Sequence, residues 1–248
     1  MTAKDIQDGE NWEKGRRAEE VGVFYLRLNG FFTIPNFAIH RDSVHDHMRT
    51  EADIVGVRFP LGMEHSVGVR MKDDAVFVDL AGDKKLFVLV EIKSGPCQIN
   101  GPWAKERREA EENLTYVIKR LGLVRASLTA PIAVSLFKDF TWENEDTKVV
   151  RLCIGSDFNP NVQARQILFK EVAAFFRQRF SSHPLKLPGD VGSLRLWGDF
   201  GYQLAQWCQK HATSLQADES LTDKTLQVAI ERYIAGHSME LPASRTSR

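Results

Sequence analysis

Apolar residues recur first at helical and then at strand spacing along this chain. Over residues 11–29, Trp12, Ala18, Val21, Phe24 or Tyr25, and Leu28 fall at intervals near 3.6, which predicts an amphipathic helix ended by Asn29-Gly30. FFTIPNFAI (31–39) predicts a strand in which Pro35 marks an edge or a bend. A polar loop, HRDSVHDHMRT, leads to a second strand, EADIVGVRF (51–59). DDAVFVDLAGDKK holds a short strand at 75–80 between turn residues. LFVLVEIK (86–93) is nearly unbroken in its apolar run, so it reads as a strand covered on both faces.

Turn residues follow in GPCQINGPW, and residues 103–121 then carry Ala110, Leu114, Val117, Ile118 and Leu121 as the stripe of a charged helix stopped by Gly122. APIAVSLF (130–137) and KVVRLCIG (148–155) predict two further strands. Residues 162–180 predict a long helix, SSHPLKLPGD a linker, and residues 193–210 and 221–235 two more helices before a frayed end. Helices around a central mixed sheet are therefore expected, an α/β protein. The expected division is a core over 1–160 and a C-terminal helical extension over 161–248.

Charge narrows the reading. Thirty-three Lys and Arg balance thirty-three Asp and Glu, so any contact with nucleic acid must come from a local basic patch. Cys97, Cys153 and Cys208 are far apart and form no CxxC or zinc spacing, which suits a reducing compartment. MTAKDIQDGENWEKGRR has no apolar core of the secretory kind, and no stretch approaches the length of a membrane span. A cytoplasmic protein without a membrane partner is expected.

The chemistry gathers at the end of the strand over 86–93. Side chains alternate along a strand, so Glu91 and Lys93 share a face, with Cα atoms about 6.6–7 Å apart, while Ile92 points into the core. Asp53 opens the apolar body of the strand over 51–59. On neighbouring strands about 4.8 Å apart, Asp53 and Glu91 can reach one hard cation. Two carboxylates suit Mg²⁺, and the Ile92 carbonyl would be a third oxygen. Glu19, with Glu20 as the alternative, lies at the edge of the first helix's apolar stripe.

Asp53 in EADIV, Glu91-Ile92-Lys93 in VEIKSG and Gly15 to Glu19 in KGRRAEE together resemble the PD-(D/E)xK nuclease superfamily, in its resolvase-like and Mrr-like branches. The resemblance covers roughly residues 11–137 and does not extend to 155–248. It implies a restriction-endonuclease-like αβββαβ core and metal-dependent hydrolysis of phosphodiester bonds, with DNA as the preferred substrate. It implies Mg²⁺, replaceable by Mn²⁺, on Asp53, Glu91 and Ile92. Lys93 would orient or help deprotonate the attacking water, and Glu19 would hold the metal through water or hold Lys93. Ala52 stands where the family name has proline, and the 37 residues between Asp53 and Glu91 require an insertion over 60–85, with Asp79 as a rival acid.

Arg16 and Arg17 on the first helix, and Lys105, Arg107, Arg108 and Asn113 around the start of the helix over 103–121, are the candidate nucleic-acid contacts. The i,i+4 charge pattern of KERREAEE also describes a self-paired, solvated helix face. His40, His45 and His47, near Asp42 and Asp46, form a His/Asp cluster of no recognised spacing. No GxxxxGK[ST] and no Gly-x-Ser-x-Gly occurs. Two alternatives remain open: a non-catalytic nuclease-fold recognition or structural subunit of a larger nucleic-acid-processing or defence complex, and a different metal enzyme using the histidines. A homodimer or a place in a multi-protein system is equally open.

Overall fold

The structure is a computed structural model that describes residues 3–40, 48–62, 65–66, 69–122, 124–182, 198–213 and 219–240. Its contacts divide the chain into two compact units. Residues 26–168 form one; residues 1–25 and 169–248 form the other. The division therefore does not fall at residue 160: the first helix belongs with the C-terminal helices rather than with the sheet that follows it.

The unit over 26–168 holds a mixed, open sheet of six strands flanked by helices. β1 (Phe32–His40), β2 (Met48–Arg58) and β5 (Lys85–Ile92) run antiparallel in that order; β7 (Thr147–Gly155) lies parallel beside β5. The far edge of β7 is shared by β6 (Thr141–Glu143), antiparallel, and β8 (Arg165–Leu168), parallel. A parallel step needs a crossover. It is supplied here by α3 (Gly101–Ala104), α4 (Arg107–Leu121) and α5 (Thr129–Lys138). Pro35 lies on β1, an edge strand, where its missing N–H costs no ladder bond.

β5 is buried on both faces, as its apolar run predicts. Leu86, Val88, Val90 and Ile92 fill one face. On the other, Leu89 joins Val55 and Val149 under Leu114, Val117 and Ile118 of α4 and Ile132, Ala133 and Leu136 of α5. Period-2 alternation then places Glu91 and Lys93 beyond Leu89 on this helix-covered face.

Four predicted elements differ. Residues 75–80 belong not to a strand but to α2 (Ala75–Ala81), which Asp74 caps by accepting the Val76 N–H and Gly82 ends at positive φ. Between β2 and β5 the segment also holds a short hairpin, β3 (His65–Ser66) with β4 (Val69–Arg70). Residues 130–137 are helix α5 rather than a strand; Pro131 is tolerated in its first turn, and Ile132, Ala133 and Leu136 are buried at helical spacing. An eight-residue apolar run has no period of its own to separate the two. The helix expected over 162–180 begins as strand β8 and turns helical only at α6 (Phe169–Ser182). The helix expected over 103–121 is broken between α3 and α4, and β6 has no strand-like apolar run to announce it.

In the other unit, α1 (Ala3–Leu28) contributes its residues to Tyr25, with α6, α7 (Asp199–Lys210) and α8 (Glu219–Ile234). Phe24 meets Phe176 and Phe200 edge-on, with ring centroids 5.8 and 5.7 Å apart. Gly201 makes room for it: a Cβ there would lie 2.5 Å from the Phe24 ring. The predicted stripe of α1 is buried at Ala18, Val21, Phe24 and Leu28, but Trp12 is exposed. The first two residues of the predicted linker, Ser181 and Ser182, end α6; its remainder over 183–190, the start of the helix from 193 and all but the first three residues of the frayed end over 238–248 lie outside the described residues.

The loops after β5 and β7 are laced together. Ser156 N–H donates to Gly95 O at 2.8 Å, Cys97 N–H to Asp157 O at 3.0 Å, and Asn159 Nδ2 to Cys97 O at 2.9 Å. Gly155 permits this approach, because a Cβ would stand 2.8 Å from Gly95 O and 3.0 Å from Cys97 N, both backbone atoms. Gly155→Ala is expected to destabilise the fold by about 1–3 kcal/mol through overpacking; a lowered denaturant midpoint at unchanged slope would register it.

Candidate functional site

The β2–β5 ladder runs from Arg58–Leu86 to Ile54–Val90 and stops. One step further, Asp53 and Glu91 face each other across the seam. Both are almost fully buried, each 6% exposed. Continued at the same register, the ladder would bring the Ala52 carbonyl to Ile92; instead the Ile92 N–H donates to Asp53 Oδ2 at 2.7 Å. The Asp53 side chain thus takes the place of a backbone acceptor where the two strands diverge.

Lys93 joins the pair. Its Nζ lies 2.9 Å from Glu91 Oε2 and 3.6 Å from Asp53 Oδ2. The residues that alternation predicts on one face therefore converge, and one ammonium lies within ion-pair distance of two carboxylates from adjacent strands. A residue's N–H and C=O project to the same edge of a strand, so the Ile92 carbonyl faces the Asp53 side as its N–H does.

Burial, and then the neighbouring Asp53 charge, raise the pKa of the Glu91 carboxyl above the ordinary carboxylate value; Lys93 and Arg151 pull against the shift without cancelling it. Burial opposes the Lys93 ammonium, but Glu91 and then Asp53 outweigh it, and its pKa lies above that of an ordinary lysine. The site is a pocket of negative charge organised around one positive charge.

Two buried groups that sequence reasoning missed adjoin it. Arg151 on β7, in register with Leu89, has Glu91 as the carboxylate acting on its charge. Cys153, in register with Glu91, is hydrogen-bonded to Cys97, which together with burial pushes its thiol pKa far up. The clue to Arg151 was a lone charge inside VVRLCIG, an otherwise apolar strand.

The other predicted residues are not among these contacts. Glu19, Arg16 and Arg17 belong to the unit formed with the C-terminal helices, not to the unit that holds Asp53, Glu91 and Lys93. Arg16 and Arg17 bind Glu13 at 2.7 and 3.1 Å, and their hydrogen bonds hold its carboxyl down to about 2. Glu20, the alternative to Glu19, accepts from Arg16 and from the Tyr233 hydroxyl. Asp79, the rival acid, is exposed on α2 and outside the sheet.

Lys105, Arg107 and Arg108 are exposed around the start of α4. Arg107 pairs with Glu111 at 2.7 Å and Arg108 with Glu112 at 3.0 Å, the i,i+4 pattern of the sequence. Asn113 is fully buried, and its Nδ2 donates to Pro102 O at 2.9 Å. It fastens α4 to α3, and this burial removes it from the solvent-facing set. His40 ends β1 and is exposed, while His45 and His47 lie outside the described residues. Among the described residues, no group of three or more His, Cys, Asp or Glu side chains is gathered as for a metal ion. Among them, too, no helix is long and apolar enough to cross a membrane.

The raised pKa of Glu91 sets a direction for stability. A group raised above its ordinary value of 4.5 contributes stability that is fully present below that value and is lost as pH rises through the raised one. Glu91→Gln, which resembles the protonated acid, is therefore expected to be more stable than wild type at about pH 7 and to lose that advantage toward about pH 4. Urea titrations across pH check it. Compared with known proteins, the chain matches no family model, no curated protein and no solved structure.

Proposed function

We propose that this chain is a metal-dependent nuclease of the PD-(D/E)xK kind, with DNA as its substrate. One observation carries the reading: two buried carboxylates on adjacent strands, Asp53 and Glu91, converge on the Lys93 ammonium, with Ile92 alongside. The strand order supports it. A helix, three antiparallel strands, a helical crossover and a parallel strand follow one another as in the αβββαβ core that the sequence motifs resemble, with α2 and the β3–β4 hairpin inserted between the second and third strands.

The donor set fits Mg²⁺. Two carboxylates that already gather a cation, with a backbone carbonyl beside them, match the few protein oxygens this ion takes. Asp53, Glu91 and Ile92 would hold it. Bound there, Mg²⁺ supplies Lewis-acid stabilisation of phosphate charge and a water of lowered pKa. Lys93 acts as a fixed cation. With its pKa raised by two carboxylates it stays protonated at neutral pH, so it orients water and offsets charge on a scissile phosphate rather than removing a proton. Glu19 enters this scheme through the sequence resemblance alone.

Lys105, Arg107 and Arg108 would meet the phosphate backbone, since the connector from Lys93 leads to their helix within a dozen or so residues. Their pairing with Glu111 and Glu112 is exposed and weak enough to exchange for phosphate.

Asp53→Ala and Lys93→Ala are each expected to lower Mg²⁺- or Mn²⁺-dependent DNA cleavage by about 10²–10³-fold or more. Wild-type rates in both variants would reject the reading. Calorimetry separates the alternatives: no Mg²⁺ or Mn²⁺ binding points to the non-catalytic subunit, and binding that survives Asp53→Ala points to the histidines. Reversing charge at Arg107 and Arg108 is expected to weaken DNA binding and to flatten its dependence on salt by about one contact per residue. An unchanged slope would remove α4 from the interface.

A further inference from the structure

The seam that carries the acids lacks its own ladder. β5 stays paired with β7 as far as Ile92–Ile154, and β2 stays paired with β1 back to His40–Met48. Between them, the β2–β5 ladder has already ended at Ile54–Val90. The sheet is therefore stitched on both sides of the site and open along its middle, where two buried carboxylates repel each other.

A bracket crosses this opening on the helix-covered face. Trp103 is buried, and its Nε1 donates to Glu51 O at 3.1 Å, two residues before Asp53 on β2. The Trp103 carbonyl accepts from Arg151 Nη2, on β7, at 3.0 Å. The bracket thus runs from β7 to β2 over β5. Arg151 is itself anchored: Nη1 donates to Leu136 O at 3.4 Å, its N–H donates to Phe140 O at 2.8 Å, and the guanidinium lies 4.9 Å from the Phe140 ring centroid. Only about 10 Å³ of free space lies between Trp103, Arg151, Glu91, Ile99 and Leu89, so the bracket is packed against the site.

Arg151 is an expensive way to fill that space. It is 4% exposed and has no ion pair within 4 Å among the described residues; its partners are carbonyls and a ring. An apolar side chain of similar volume would pack there without the desolvation penalty. What only a guanidinium supplies is a fork of donors able to hold two carbonyls from different elements at once.

We propose that Arg151 is a positioning residue: acting through Trp103, it ties β2 to β7 across the open seam and so fixes Asp53 against Glu91. The effect on cation affinity rests on the proposed function, whereas the bracket itself is testable without it.

The Ile92 amide reports the seam, because its acceptor is the Asp53 carboxylate. The Val88 amide, four residues inward on the same edge of β5 and within the ladder, is its internal reference. In Arg151→Met and Trp103→Phe, native-state hydrogen exchange at Ile92 is expected to quicken at least tenfold relative to Val88, and Mn²⁺ affinity to fall about 10-fold or more. Arg151→Lys, which restores one donor, recovers some of each effect. Leu114→Ala weakens the same helical layer without removing either bracket hydrogen bond and leaves the Ile92-to-Val88 ratio at its wild-type value. An unchanged ratio in Trp103→Phe, or an equal shift in Leu114→Ala, overturns the proposal. If Arg151→Met does not fold, Trp103→Phe and Arg151→Lys decide it. If wild type binds no Mn²⁺, the cation reading fails and the exchange ratio still decides the bracket.

Discussion

A carboxylate standing in for a backbone carbonyl governs this structure. Where β2 would offer Ile92 its next main-chain acceptor, Asp53 offers its side chain. The substitution has two consequences. The strands separate two residues before β5 ends, and a negative charge is drawn into a buried seam beside Glu91. Lone buried carboxylates are costly. This pair is tolerable because Lys93, just past the seam on the same alternating face as Glu91, returns an ammonium to both.

That compensation leaves a local imbalance. Two acids share one lysine, and burial together with the Asp53 charge raises the pKa of Glu91. Sites with such competing charges and perturbed carboxyls are common where chemistry is done. The surroundings keep the imbalance confined. Leu89 and the α4–α5 layer close one side, Arg151 and Trp103 the next, and the laced loops after β5 and β7 hold the tip. Gly155 and Asn113 contribute only by position, one by lacking a Cβ and the other by fastening α4 to α3.

Much of this was legible in the residues. The periods near 3.6 and 2 located α1, β1, β2, β5, α4 and β7 within a few residues, except that α1 reaches further toward the N-terminus and α4 starts only after a break. Alternation alone put Glu91 and Lys93 on one face. The errors share a cause. VFVDLA and APIAVSLF are short apolar runs, for which strand and helix predict the same composition. Asp74 as a cap and Pro131 in a first turn were the local cues for helix, and each is weak beside an apolar run. Asn113 was read by residue type, yet it is buried.

By itself the sequence determined which side chains share a face, because strand alternation depends on nothing beyond the neighbouring residues. It also determined that β5 is covered on both sides, since an apolar run that long is unstable against water. The tertiary structure decided the rest: the register that sets Asp53 opposite Glu91, the early end of their ladder, and the arrival of Arg151 and Trp103 from distant segments over the seam. It also decided that the first helix joins the C-terminal helices. Register and partner choice minimise the free energy of the whole core at once, so no local stretch encodes them.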